Sequence, residues 1–134
     1  MKKIIISLGF ITGSTIFLAA QTSPSSIDNG QKIYAQYCLT CHQADGSGVP
    51  NMNPPLIKTS YVIGSKQKLI HWVLTGSIEN VPIDGKDYSN NMPPQYFLKD
   101  EELASVLTYI RSHFGNKASA ITAAEVKAVR SKTK

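Results

Sequence analysis

Residues 37–46 read YCLTCHQADG and place two thiols three positions apart, with an imidazole directly after the second. Cys38 and Cys41 are the only cysteines in the 134-residue chain. A disulfide framework would use more cysteines, spread along the sequence. A zinc site would need four ligands, and there is no second cysteine pair to supply them. A redox dithiol has no use for His42, and such pairs follow a strand in a βαβ pattern that this sequence lacks. Cys-x-x-Cys-His is the attachment signature of a c-type haem: the thiols add across the vinyl groups and the next residue is held against the iron. Cys38, Cys41 and His42 are therefore the expected attachment and proximal-ligand residues of one covalently bound haem c.

The cellular side follows from the start of the chain. MKKIIISLGFITGSTIFLAAQTSP has Lys2 and Lys3, then no charge from Ile4 to Ala20, then small residues before Gln21. Residues 1–20 read as a secretory signal peptide, so the expected location is periplasmic, exported from the cytoplasm. An uncleaved membrane anchor is the alternative, and only that case brings in a membrane. Residues 21–27 read as a flexible leader, 28–116 as the haem domain and 117–134 as a basic tail with a short helix.

The formal charge of +5 resides at the ends. Lys2 and Lys3 leave with the signal, and the tail sets Lys117, Lys127, Arg130, Lys132 and Lys134 against Glu125. Residues 21–116 hold seven basic and eight acidic residues. A nucleic-acid partner is not expected, since no arginine-rich or aromatic-interleaved patch is present.

Periodicity predicts an all-α fold. A helix capped at Asp28 or Asn29 enters the cysteine pair, with Ile33, Tyr34, Tyr37 and Cys38 on one face. Ser65 caps a second helix that ends at Gly76. The stretch LKDEELASVLTYIRSHFGN has an acidic first turn, an apolar stripe and Gly115 as its stop. Thr122 and Glu125 form a capping box in the tail. Between these run two long, proline-bearing loops with only a short structured piece near Tyr61–Ile63; loops of that length in so small a chain usually wrap something.

The iron needs a second axial position filled. Met92 lies in the second loop, in NNMPPQ, where two prolines fix the backbone and exclude helix. It is the expected ligand, and a thioether raises the haem potential. Met52 follows His42 too closely to reach the opposite face. His71 and His113 sit on helices and read as surface or helix-end residues, leaving bis-histidine ligation as the alternative.

Gly30 with Tyr34, CLTCH, GSGVPNMNPPL, YSNNMPP and the 98–116 helix together resemble a class I c-type cytochrome of the small bacterial monohaem kind, from about Asp28 to Asn116. The ITAAEVKAVRS tail is similar to cytochrome subunits of periplasmic quinoprotein dehydrogenases. The resemblance implies a cytochrome c fold of three to five helices and long loops around one haem. It implies that the first and 100–113 helices cross, with Gly30 and Tyr34 against Leu103, Leu107 and Tyr109. It further implies that the Pro54 carbonyl orients His42, that Leu56 packs on the haem face, and that Trp72 and Tyr88 lie near the haem edge or a propionate. At the start of the 100–113 helix the usual serine is replaced by Lys99, so Asp100 is the expected cap. The function implied is a one-electron carrier between a dehydrogenase or cytochrome donor and an oxidase or cytochrome acceptor, not an enzyme. A haem enzyme or gas sensor with an open or bis-histidine iron, and a fixed dehydrogenase subunit, are the alternatives.

Overall fold

The computed structural model describes residues 24–77 and 82–133. The signal-peptide segment and the first three residues of the expected leader lie outside them. Among the described residues there are six helices and no strand: α1 Pro24–Tyr37, α2 Leu39–His42, α3 Ser60–Ile63, α4 Lys66–Thr75, α5 Asp100–Ser112 and α6 Ala123–Arg130. The all-α expectation holds, with more pieces than the three to five expected. Two causes account for the excess. The first helix is interrupted at Cys38, where the amides of Cys41 and His42 both turn to the Cys38 carbonyl. The short piece near Tyr61 is a true one-turn helix, capped by the Thr59 side chain, which accepts from the Val62 amide.

Several boundaries move. α1 begins at Pro24, ahead of Asp28 and inside the expected leader; proline suits a first helical position, where its missing N–H is not needed. Asp100 does not cap α5. Glu102 instead accepts from the Lys99 amide at 2.8 Å, and the Asp100 carboxylate accepts from Arg130 Nε at 2.7 Å.

α1 and α5 cross at Gly30. A Cβ there would fall on the Ser105 carbonyl and lie 2.8 Å from the Tyr109 Cβ. The missing side chain lets the two backbones close, and Tyr34 then packs on Tyr109 with ring centroids 5.6 Å apart. Tyr34 is buried, and its hydroxyl donates to the Gln43 carbonyl at 2.6 Å. The apolar stripe of α5 (Leu103, Val106, Leu107, Ile110) meets Leu69, Ile70 and Leu74 of α4 in one core. Burying each such side chain contributes about 1.5–3 kcal/mol.

The tail belongs to this core. Val126 of α6 and Ile121 before it are buried in the same cluster. The Thr122–Glu125 capping box is present, and Arg130 donates to the Tyr96 and Leu98 carbonyls. Arg111, also buried, joins the end of α5 to its neighbours: Nε donates to Ser119 O, and Nη1 donates to Val62 O and Gly64 O.

The loops carry the rest of the architecture. After α2 the chain runs through 43–59 and returns to itself, Leu56 N donating to Gly46 O. The loop after α4 meets it: Ser89 N donates to Asn51 O and Asn90 N to Met52 O. Two irregular segments thus lean on each other and enclose a space against α4 and α5.

Candidate functional site

That space is an apolar cavity with an adjoining slot, which share His42, Pro54, Trp72, Ile83 and Met92. Cys38 and Leu56 line the cavity, together with Val62 of α3, Leu69 of α4 and Leu107 of α5. Cys41 and Tyr88 line the slot. All eight residues expected at the site therefore border it. No Lys, Arg, Asp or Glu lines either part among the described residues.

The backbone explains how each donor is placed. α2 is one turn long, so Cys38, Cys41 and His42 stand on a single turn. His42 Nδ1 lies 3.0 Å from the Pro54 carbonyl. A carbonyl can only accept, so Nδ1 carries the proton and Nε2 keeps its lone pair for a metal. Burial lowers the pKa of His42, with the Pro54 hydrogen bond partly opposing it; the ring is held as the neutral, ligating form. Burial, reinforced by Cys41, pushes the Cys38 thiol up to about 11, which keeps it uncharged in its apolar wall.

Met92 is held by a reciprocal clasp at the end of α4. Its amide donates to Ser77 Oγ at 3.0 Å, and its carbonyl accepts from Ser77 N at 2.9 Å. Gln95 N donates to Val73 O one turn earlier. Met52, by contrast, is 46% exposed. His71 is exposed and pairs with Thr133 Oγ1 at 3.2 Å; His113 stacks on Tyr109 with centroids 4.0 Å apart. Neither histidine lines the cavity. Trp72 packs edge-on to Tyr61, centroids 5.3 Å apart.

Three contributors were not foreseen from sequence. Ser77 has no motif and acts only through the clasp. Asn116, buried, donates to the Leu56 and Ile110 carbonyls and accepts from Lys58 N, fixing the cavity wall to α5. Gln95 is 7% exposed, and its Oε1 has no hydrogen-bond partner among the described residues. A buried amide oxygen without a partner is costly, and it lines the cavity. A polar side chain this close beside the Met-Pro-Pro segment was the one available signal.

Residues 27–114 match the Cytochrome c family. The chain is 37% identical over 113 residues to cytochrome c-552 of Thermus thermophilus, covering 78% of this chain and 86% of that protein. The chain belongs to the cytochrome c family. It is 31% identical over 121 residues to the cytochrome c subunit of the quinone alcohol dehydrogenase of Gluconacetobacter polyoxogenes, covering 87% of this chain and 25% of that subunit. It is 33% identical over 106 residues to the gluconate 2-dehydrogenase cytochrome c subunit of Pantoea cypripedii, with 75% and 24% covered. A member of this family is an electron-transfer protein carrying covalently attached haem c.

The site fits such a group. Two thiols, an imidazole with a free Nε2 and a thioether border the apolar cavity and its adjoining slot, neither lined by a charged side chain among the described residues; this is the donor set and surroundings that a c-type haem takes. α6 lies beyond the matched residues, yet it packs into the cytochrome's core.

Gly76 ties α4 to the Met92 segment. It has φ +69°, and a Cβ there would fall on the Met92 carbonyl and lie 2.8 Å from Pro94 N. Gly76→Ala is expected to cost roughly 2–4 kcal/mol, from the left-handed backbone and the forced separation of packed chain. Denaturant unfolding of the holoprotein checks this; a change below about 1 kcal/mol would show that the strap does not need the close approach.

Proposed function

We propose that this cytochrome is a periplasmic one-electron carrier with His42 and Met92 as the axial ligands of a single haem attached through Cys38 and Cys41. The observation that carries the reading is that His42, from α2, and Met92, from the loop after α4, border the same cavity, each fixed by a hydrogen bond to a separate stretch of chain. When bound, the haem supplies a ferric/ferrous couple. The chain's part is to hold that couple in one environment in both states. Pro54 fixes the His42 tautomer; Ser77 and Gly76 fix the Met92 segment. Leu56, Val62, Leu69 and Leu107 keep water out, which favours the reduced, less charged state. With His42 and Met92 both bound to the iron, no coordination position would be left open, which favours transfer over turnover of a small substrate.

The rim supports docking through uncharged contacts. Tyr37 and Leu39 flank Cys38 and are exposed, as are Tyr96 and Phe97 just before Leu98. Tyr37 and Phe97 meet edge to face with centroids 5.2 Å apart. A small face led by exposed apolar and aromatic side chains suits a transient complex with little electrostatic steering. The named dehydrogenase relatives make a dehydrogenase or its cytochrome subunit the favoured donor, with an oxidase or another cytochrome as acceptor. Export follows from the 1–20 segment. No helix among the described residues is long and apolar enough to cross a membrane.

The test is an absorption spectrum of protein matured with haem c. A sharp low-spin α band after reduction, with the weak long-wavelength methionine-to-iron band before it, is expected. Carbon monoxide binding to the native reduced protein would point instead to an open iron and to the enzyme or sensor reading.

A further inference from the structure

We propose that the depression between the C-terminal end of α3, the first turn of α4 and the α5–α6 connection binds a phosphate group. It is lined by Lys58, Lys66, Arg111 and Lys117, with Gly64 and Ser119 between them. Arg111 makes it a built site. Its residue is 2% exposed, its Nε and Nη1 are used by backbone carbonyls, and its Nη2 has no hydrogen-bond partner among the described residues. Carbonyls take the Nε and Nη1 donors but do not compensate the charge, and burying a charge without a close counter-ion is costly.

The nearest carboxylate does not remove that charge. Glu125 attracts Arg111 at a distance, but its oxygens already accept from Lys66 Nζ at 3.0 Å and from Thr122 N and Oγ1. Lys58 and Lys117 are exposed and make no ion pair among the described residues. The Lys58 side chain runs alongside Gly115, where a Cβ would lie 3.8 Å from its Cε, at the edge of the depression. One guanidinium with a free donor and two or three ammonium groups around an open depression match the several acceptor oxygens and high charge of a phosphate. Free phosphate and a phospholipid headgroup share this chemistry. The site lies behind the wall of the haem cavity, since Val62 both accepts from Arg111 and lines that cavity. The inference does not depend on the axial ligands.

The test uses the haem-loaded protein. Inorganic phosphate is titrated against sodium chloride at matched ionic strength, followed by amide NMR shifts. Saturable shifts confined to Lys58, Gly64, Lys117 and Ser119 are expected, with affinity at least roughly tenfold weaker in the Lys58→Gln/Lys117→Gln variant, as for loss of charged hydrogen bonds. In a second arm, co-sedimentation is compared for phosphatidylcholine vesicles with and without phosphatidylglycerol. Binding of free phosphate assigns the site to a soluble oxyanion. Binding only to the phosphatidylglycerol vesicles, lost in the double variant, assigns it to a headgroup. Linear shifts spread over all lysines, or binding unchanged in a double variant with the native circular dichroism, would overturn the proposal.

Discussion

Met92→Ala is expected to leave the haem covalently attached while removing the long-wavelength methionine band and lowering the reduction potential. Axial ligands set haem potentials over a range of about 0.8 V, and exchanging a thioether for water or an open position should move the potential down by on the order of 100 mV or more. The direction follows from the donor: a soft, uncharged sulfur favours the ferrous state, and water favours the ferric. The attachment is unaffected because Cys38 and Cys41 stand on the separate turn around α2. Stability should fall less than the potential, since the Ser77 clasp holds the segment through its backbone and survives the substitution. The reduced variant should also bind carbon monoxide, which the parent should not. Potentiometry and the oxidised spectrum check the result together. An unchanged potential and band would remove Met92 from the iron and point to Met52, the other methionine among the described residues, as the source of the thioether. A parent protein that lacks the band would instead reopen bis-histidine ligation, although His71 and His113 would have to leave their partners to provide it.

The contrast between Met92 and Ser77 marks what sequence could deliver. Met92 was legible because a methionine between asparagines and prolines makes an odd core residue, and Cys38, Cys41 and His42 because their spacing has few chemical uses. Helices with strong local signals were also legible: α4 between Ser65 and Gly76, α5 by its stripe, α6 by its capping box. Residues whose role is made by tertiary contact were not. Ser77 matters only because the chain returns after fifteen residues to hydrogen-bond with it, and Asn116 reaches Leu56 across sixty. The tail shows the same limit at the scale of an element. Its charge makes it read as an appendage, whereas Val126 is fully buried and Arg130 reaches the carbonyls of the 96–98 segment. At the start of α5 neither Lys99 nor Asp100 carries the cap; Glu102 reaches back from inside the first turn to accept from the Lys99 amide, a contact that no residue at the boundary itself announces.

The double variant Cys38→Ala/Cys41→Ala is expected to lose covalent haem completely and most of its cooperative fold with it. The cavity shows why the two losses are joined. Val62, Leu69, Leu98, Leu107 and Ile110 are shared between the cavity wall and the one apolar core, so the group completes that core. A ligand held on the folded chain at a thousand times its Kd stabilises it by about 4 kcal/mol, and a covalent tether supplies an effective concentration of that order. Small domains have only about 5–15 kcal/mol in total, so removing the tether should leave this chain marginal. Each single cysteine variant should behave differently, keeping one thioether link and with it most of the effective concentration. Haem staining after denaturing electrophoresis reads the attachment, and far-ultraviolet circular dichroism with thermal melting reads the fold. Covalent haem persisting in the double variant would contradict the attachment sites outright. A double variant without haem that still melts cooperatively near the parent temperature would mean that α1, α4, α5 and α6 form a self-sufficient core, with the loops and their cargo added to it.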